Sequence, residues 1–503
     1  MIVTMLYFLS CTSQTTDISF VFGEQEEQET TIETIGEWSI GAVESCTADS
    51  ETPSWWDAST LLWGDDRSSD NGQPAGCIAL YPEGDEWLVA RTTKHINLRW
   101  GYLYQEEVND VLVSPSSVRL RVEDIDGDGE LDAIILDRSL NIGWSFTTDH
   151  GHWEELIPKS WDCSLRDLAV ADIDGDRDLD LIVPGLGGCS QQTWTGALLE
   201  NLGDQQFSTA QEMTISEDVW GVLFDAIAVD IDGDLDLDIY MCNDFGNEIA
   251  PNGWLYNDDG TFYDDDQRNS DIVAHCMGAS LADINQDGRL DMYIAGNGNQ
   301  FLLIDSPDGW IESQALWNMP SFDSFQMAWG SQFSDFNNDG LIDLMVSTSD
   351  FAQSGHLLFP VWFLEQIAPG TFEERGSELG FPQEAGGRGI IAYDINQDGV
   401  LDFLIADAFG EPWMFLSESC TQNNWIEVEA PRGSIVRIEA EGQQWTMLAT
   451  TDPGFAVSQP SFVHVGLGRI SKIDLITVTI PYVGTAQLTG PIQARRRLRV
   501  HGL

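Results

Sequence analysis

One nine-residue pattern, D-x-[DN]-x-D-x-x-[LI]-D, occurs six times in this chain, and few folds can carry it. The copies are "DIDGDGELD" from Asp124, "DIDGDRDLD" from Asp172, "DIDGDLDLD" from Asp230, "DINQDGRLD" from Asp283, "DFNNDGLID" from Asp335 and "DINQDGVLD" from Asp394. Their starts lie 48, 58, 53, 52 and 59 residues apart. That period is too long for a solenoid coil and suits one four-stranded repeat.

Each position of the pattern has a chemical reason. Positions 1, 3, 5 and 9 place side-chain oxygens at Asp124, Asp126, Asp128 and Asp132; Asp172, Asp174, Asp176 and Asp180; and Asp230, Asp232, Asp234 and Asp238. The later copies place them at Asp283, Asn285, Asp287 and Asp291; Asp335, Asn337, Asp339 and Asp343; and Asp394, Asn396, Asp398 and Asp402. A hard cation such as Ca²⁺ collects about 6–8 oxygen ligands of this kind. Position 7 holds Glu130, Asp178, Asp236, Arg289, Leu341 and Val400, which share no side-chain chemistry. A backbone carbonyl is therefore the ligand expected there. Position 8 is always Leu or Ile, an apolar anchor for the loop. Position 6 is glycine in four copies, and Arg177 and Leu235 break that rule, which predicts a different turn in the second and third loops.

Two carboxylates about 4 Å apart repel by roughly 1 kcal/mol in water and about 4 kcal/mol at an effective dielectric near 20. A divalent ion turns that repulsion into attraction, so the pattern predicts up to six Ca²⁺ sites. Position 12 of the first copy is Ile135, where an EF-hand would place a bidentate Glu, so these are not EF-hands. The flanks "SVRLRVE", "LDAIIL", "FDAIAV" and "LDFLIA" read as strands, which puts each loop at the tip of a β-hairpin. Seven further segments, including "CIALYPEGDEWLVA" (77–90) and "GWLYNDDGTFYD" (253–264), read as outer hairpins.

The prediction is an all-β chain. A seven-bladed β-propeller occupies 36–420, its first blade (roughly 36–115) lacking a metal loop, and a small β-rich domain occupies 421–503. With the metal loops on one face, the opposite rim gathers Asn243, Asp244, Asn297, Asn299, Asp350 and Asp407, a candidate surface for a protein or glycan ligand. Turn preference alone also accounts for those residues.

The repeats resemble the FG-GAP repeats of integrin-α-type propellers, in the variant grouped with VCBS repeats; "LDIYMCNDFGNEIAPNGWLYNDDGTF" and "HCMGASLADINQDGRLDMYIAGNGNQFLL" carry the likeness. The tail, from "NNWIEVE" through "VRIEAEGQQ", "GFAVSQ" and "VHVGLG" to "IDLITVTIPYVG", resembles the ASPIC/UnbV domain. It departs from that pattern at Ile480, Pro481, Tyr482, Val483 and Gly484, where a Trp-Pro-Ser-Gly type ending is usual. Together the two resemblances imply the domain order of the cartilage acidic protein family and its bacterial relatives. They imply an exported calcium-binding propeller with adhesive or recognition roles and no catalytic residues.

Charge narrows the partners. The 84 Asp+Glu against 22 Lys+Arg leave −62, and lysine occurs only at Lys94, Lys159 and Lys472. Nucleic acid and anionic membranes would repel such a chain. Six calcium ions would leave about −50, so a saline habitat remains compatible as well. The amino terminus, "MIVTMLYFLSCTSQTTD", reads as a signal segment over 1–11 with an acidic linker over 12–35. It ends either in a lipid anchor on Cys11, at the cell surface or outer membrane, or in ordinary cleavage and secretion. Export would let Cys46–Cys77, Cys163–Cys189 and Cys242–Cys276 pair, leaving Cys420 over; buried reduced thiols are the other reading.

No H-E-x-x-H, G-x-S-x-G, P-loop or C-x-x-C is present. The tail's Arg495, Arg496 and Arg497 are expected to answer local carboxylates. The expected function is non-catalytic adhesion or extracellular recognition with structural calcium. Two alternatives stand beside it: a carbohydrate-active lyase or dehydratase, and an accessory protein of a biosynthetic or assembly system. Arg, His, Tyr and acids converging at the propeller's centre would favour the enzyme.

Overall fold

The computed structural model describes the chain from Asp167 onward, except 185–195, 204–205, 209–210, 214–221, 245, 247–250, 259, 265–267, 320–325, 351–357, 409–411, 419, 451–453 and 502–503. Before Asp167 it describes the strands named below together with residues 41, 42, 44, 124 and 125.

Strands make up the fold, and no α-helix occurs among the described residues. Seven four-stranded antiparallel units follow one another. The first runs from Ile78–Glu83 to Asn109–Leu112, the second from Ser117–Glu123 to Asp149–Glu154, and the third from Ala169–Ala171 to Gln211–Met213. Val222–Val229 to Thr261–Asp264, Cys276–Ala282 to Ile311–Glu312, and Met327–Ser334 to Thr371–Glu374 make the next three. The seventh has Gly387–Tyr393, Asp402–Asp407 and Trp413–Ser417, and takes its fourth strand, Trp55–Asp57, from the far end of the chain.

The inner strands are buried on both faces. Cys276–Ala282, Met327–Ser334 and Gly387–Tyr393 are buried at every residue, as are Asp238–Asp244 and Asp343–Ser349. Their sequences are accordingly rich in consecutive apolar and small residues rather than alternating ones. Position 2 of the repeat (Ile125, Ile173, Ile284, Phe336, Ile395) and position 8 (Leu237, Leu290, Ile342, Leu401) lie in this apolar layer, as the anchor role requires.

The amino-terminal strands depart from expectation. Trp55 lies among Phe363, Phe381 and Phe403 and donates its indole N–H to Leu401 O at 2.8 Å. Glu37–Ile40, expected in the first blade, pairs instead with the last strand, Arg496–His501. Sequence adjacency could not reveal either pairing, because each joins residues several hundred positions apart.

The carboxy-terminal part is β-rich, as expected. One sheet orders Glu37–Ile40, Arg496–His501, Asn424–Glu429 and Phe462–Gly468; the other orders Gln443–Leu448, Ile435–Ala440, Lys472–Ile480 and Gly484–Gln493. Ile426, Val428, Val465 and Leu498 of the first share one core with Val436, Ile438, Trp445, Ile476 and Val478 of the second. Met447 pairs with Ala282, which makes the second sheet continuous with the fifth unit.

Candidate metal centres

Each described repeat loop is drawn together by its own carboxylates. The first-position aspartate accepts N–H groups from positions 4 to 6: Gly175 and Arg177 on Asp172 (2.8 and 3.2 Å), and Gly233, Asp234 and Leu235 on Asp230 (2.7, 3.1 and 3.0 Å). Asp283, Asp335 and Asp394 accept the position 5 and 6 N–H groups at 2.7–3.0 Å. Position 3 accepts the position 5 N–H and position 5 accepts the position 7 N–H, as in Asn337 with Asp339 (2.9 Å) and Asp339 with Leu341 (2.8 Å). These are Asx turns, formed because a short side-chain oxygen reaches the backbone two residues on.

The ninth-position aspartate has a role that the ligand reading missed. Its Oδ2 accepts the position 2 N–H in all six copies: Ile125 on Asp132 (3.1 Å), Ile173 on Asp180 (2.9 Å), Ile231 on Asp238 (3.0 Å), Ile284 on Asp291 (3.0 Å), Phe336 on Asp343 (3.2 Å) and Ile395 on Asp402 (2.8 Å). In the second to sixth copies Oδ1 accepts an N–H from the unit's third strand or just beyond it, from Asn201, Asn257, Asp305, Gln366 and Ser417. The residue staples the hairpin to its neighbouring strand. An invariant Asp at the start of a strand was the available signal.

The expected difference in turn is not found. Arg177 (φ 82°) and Leu235 (φ 81°) adopt the same left-handed conformation as Gly288, Gly340 and Gly399. Position 4 is left-handed too, at Gly175, Gly233, Gln286, Asn338 and Gln397. Every described loop thus needs two left-handed residues and places glycine at one of them, which is why the glycine moves between positions 4 and 6.

In the second loop, oxygens of Asp172, Asp174 and Asp176 lie within 4.8 Å of one another; in the third, those of Asp230, Asp232 and Asp238 do. Burial is the first cause that pushes Asp180 and Asp238 up to about 7 and Asp291 up to about 8, with neighbouring aspartates adding to it. Asp283 is pushed to about 6 and Asp398 to about 7, again chiefly by burial. Asp335, Asp343 and Asp402 are raised in the same way. Asp126, Asp128 and Glu130 of the first loop lie outside the described residues. At position 7, Asp178, Asp236, Arg289, Leu341 and Val400 each donate a backbone N–H to the position 5 carboxylate, and the Arg289 guanidinium also reaches Asp287 and Asp305. The second and third loops could hold a hard divalent cation, since carboxylate oxygens converge there on turns already shaped by backbone bonds.

The loop face is covered. Tyr482 spans the second and third loops, its hydroxyl donating to Ile173 O (2.7 Å) and accepting from Leu237 N (3.1 Å) and Asn257 Nδ2 (3.1 Å). Arg437 donates to Gly288 O (3.2 Å) in the fourth loop and Trp445 to Gly340 O (2.9 Å) in the fifth. His464 bonds Asn338 (2.7 Å), and Trp425 packs on Gly399 of the sixth. Tyr482 stands where the sequence departs from the ASPIC/UnbV pattern, and that departure was the visible clue.

On the first strand of the second unit, Arg119 and Arg121 both bind Asp167, at 2.5 and 3.2 Å. Burial works to raise that carboxyl, and the two guanidinium groups outweigh it and hold it low. The carboxy-terminal segment "GFAVSQ" enters here: Phe455 lies under Arg119 (3.8 Å) and beside Trp329 (5.0 Å), and Val457 O accepts from Arg121 (3.1 Å). Arg388, lowered to about 9 by burial, stacks on Trp329 at 3.8 Å. Arginines and an acid thus converge here, and they are packed against a segment of the chain itself.

The opposite rim is less open than expected. Asn243, Asp244, Asp350 and Asp407 are buried; Asn297 and Asn299 are exposed. Asn243 bonds Asn252 and Pro251, Asp244 bonds His275 (2.9 Å), and Asp407 accepts from Gly386 N and Trp413 Nε1. Cys242–Cys276 is a disulfide, as the sequence suggested. Cys420 is disulfide-bonded as well, so it is not left over; its partner, and the expected pairs Cys46–Cys77 and Cys163–Cys189, lie outside the described residues.

Residues 230–294 and 335–405 match the FG-GAP-like repeat, and the chain carries such repeats. It is similar to cartilage acidic protein 1: 27% identical to the Xenopus tropicalis protein over 258 residues, 47% of this chain and 38% of that one. The Mus musculus and Homo sapiens proteins are each 26% identical over 254 residues, with the same coverage. The match thus spans well under half the length of these relatives. Among solved structures, the crystal structure of BBS1N in complex with ARL6DN, soaked with mercury, aligns at 10% identity and TM-score 0.46, covering 74% of this chain and 100% of that one. The lead-soaked form gives 10% and 0.44, covering 73% and 97%.

Proposed function

We propose that the seven units close into a β-propeller, that its Asp loops hold calcium, and that the protein is an exported, non-catalytic module for adhesion or extracellular recognition of a protein or glycan. Closure is supported by Trp55–Asp57 completing the seventh unit from the chain's other end, and by Gly387–Tyr393 packing against Ile78–Glu83. The observation that carries the calcium reading is the convergence of three carboxylates in the second loop and three in the third, on turns already shaped by backbone bonds. Calcium there is structural: it would cancel repulsion in loops that also seat the carboxy-terminal domain. Export is supported by the disulfide-bonded Cys242, Cys276 and Cys420. A non-catalytic reading is supported by Phe455 filling the space between central arginines that already have partners.

The test is calcium stoichiometry and thermal stability measured together on chelator-stripped full-length protein, at low and high NaCl. Several ions bound with a rise in melting temperature are expected. Stability restored by salt alone, with no calcium bound, would overturn the reading.

A further inference from the structure

The sixth loop differs from the others in what touches its first-position carboxylate. Asp172, Asp230, Asp283 and Asp335 carry no guanidinium among the described residues, whereas Asp394 is bound by Arg497 of the last strand. Arg497 also pairs with Glu44 and, at 3.3 Å, with Glu427, and its Cζ lies 5.1 Å from the Trp425 ring centre. Asp394 is fully buried and Glu427 nearly so. The same tryptophan closes over the loop: a Cβ at Gly399 would stand 2.0 Å from Trp425 Nε1. Three segments distant in the chain thus deliver carboxylates to one guanidinium, and its backbone is fixed by parallel pairing of Arg496–His501 with Asn424–Glu429.

We propose that Arg497 is the resident cation of the sixth loop, taking the charge role that a metal ion takes in the others and turning this loop from a metal site into a latch for the carboxy-terminal domain. The inference rests on the calcium reading of the remaining loops. A guanidinium in contact with a ligand carboxylate repels an incoming divalent ion and occupies one of its oxygens, which weakens binding by roughly ten- to a hundredfold. In the fourth loop Arg289 touches Asp287, but its side chain is 36% exposed and can swing into water, so that loop keeps its capacity. Arg497, 27% exposed, is held instead by three acids, two of them buried, and lies over the Trp425 ring, so it is tied down far more firmly.

The experiment is isothermal titration of CaCl₂ into stripped full-length protein. Asp394→Asn is expected to leave the wild-type stoichiometry unchanged, while Asp230→Asn, the control in the third loop, weakens or removes one site. Arg497→Gln is expected to gain one site, and Arg497→Lys to behave as wild type. Loss of one calcium in Asp394→Asn overturns the proposal, as does identical nonzero stoichiometry and affinity in wild type and Arg497→Gln. The Asp394→Asn result decides the matter if Arg497→Gln does not fold. Absence of calcium binding in every protein, wild type included, would remove the calcium reading itself and is distinct from either outcome.

Discussion

Tyr482→Phe removes one oxygen and keeps the ring that packs under Gly175. The backbone bond from Tyr482 N to Leu235 O (2.8 Å) also survives. What disappears is the junction of three hydrogen bonds to Ile173 O, Leu237 N and Asn257 Nδ2, one to the second loop and two to the unit that carries the third. Ile173, Leu237 and Asn257 are 3%, 2% and 1% exposed, so water reaches their orphaned groups poorly. Each such group costs about 1–3 kcal/mol, and some relaxation is available because the tyrosine itself is half-buried, so a total of about 2–4 kcal/mol is expected. At about 2.1 cal/mol/K of unfolding entropy per residue, a cooperative chain of 503 residues would melt lower by roughly 2–4 °C. Calorimetry on calcium-loaded protein measures it, with the exposed Tyr263→Phe as the control. Hydrogen exchange should also quicken at the Leu237 amide. A shift of about 1 °C or less, with unchanged exchange, would refute the view that the carboxy-terminal domain is seated on the loops through this hydroxyl.

In chelator, the buried aspartates make stability depend on pH. Asp180, Asp238 and Asp291 titrate at about 7, 7 and 8 in the folded chain against 3.8 when unfolded, so the folded state binds more protons between those values. The stability they contribute is complete below about pH 4 and is lost as pH rises through 7–8. Metal-free protein should therefore have a lower urea midpoint at pH 8 than at pH 5.5, and the opposite order would contradict the assignment. Gly399→Ala drives a Cβ into Trp425 at a φ of +84°, whereas Gly233→Ala at +86° meets nothing within 4 Å. The first should cost clearly more than the roughly 1–2 kcal/mol left-handed penalty expected of the second, measured as the difference in their melting temperatures. Phe455→Ala withdraws the ring beneath Arg119 and beside Trp329 and should destabilise by about 3–5 kcal/mol in urea titrations; a loss below about 1 kcal/mol would mean the central segment is not packed there.

The sequence by itself determined the repeat, its hairpins and the internal geometry of each loop. Those features depend on bonds that span two to seven residues, such as Asp230 to Gly233 or Ile231 to Asp238, and residue type and spacing are enough to specify them. It also showed where the second and third loops break the glycine rule, though not that Arg177 and Leu235 accept the left-handed turn regardless. Only the tertiary structure decided what each loop faces. Tyr482 reaches Ile173 across 309 residues, Trp55 reaches Leu401 across 346, and Arg497 meets Asp394 across 103. The burial of Asn243, Asp244, Asp350 and Asp407 likewise came from packing, since a polar residue in a turn reads the same whether solvent or a neighbouring strand satisfies it. Local hydrogen bonding is encoded in neighbouring residues; whether an arginine or a tyrosine meets a loop depends on which distant segment the folded chain brings to it.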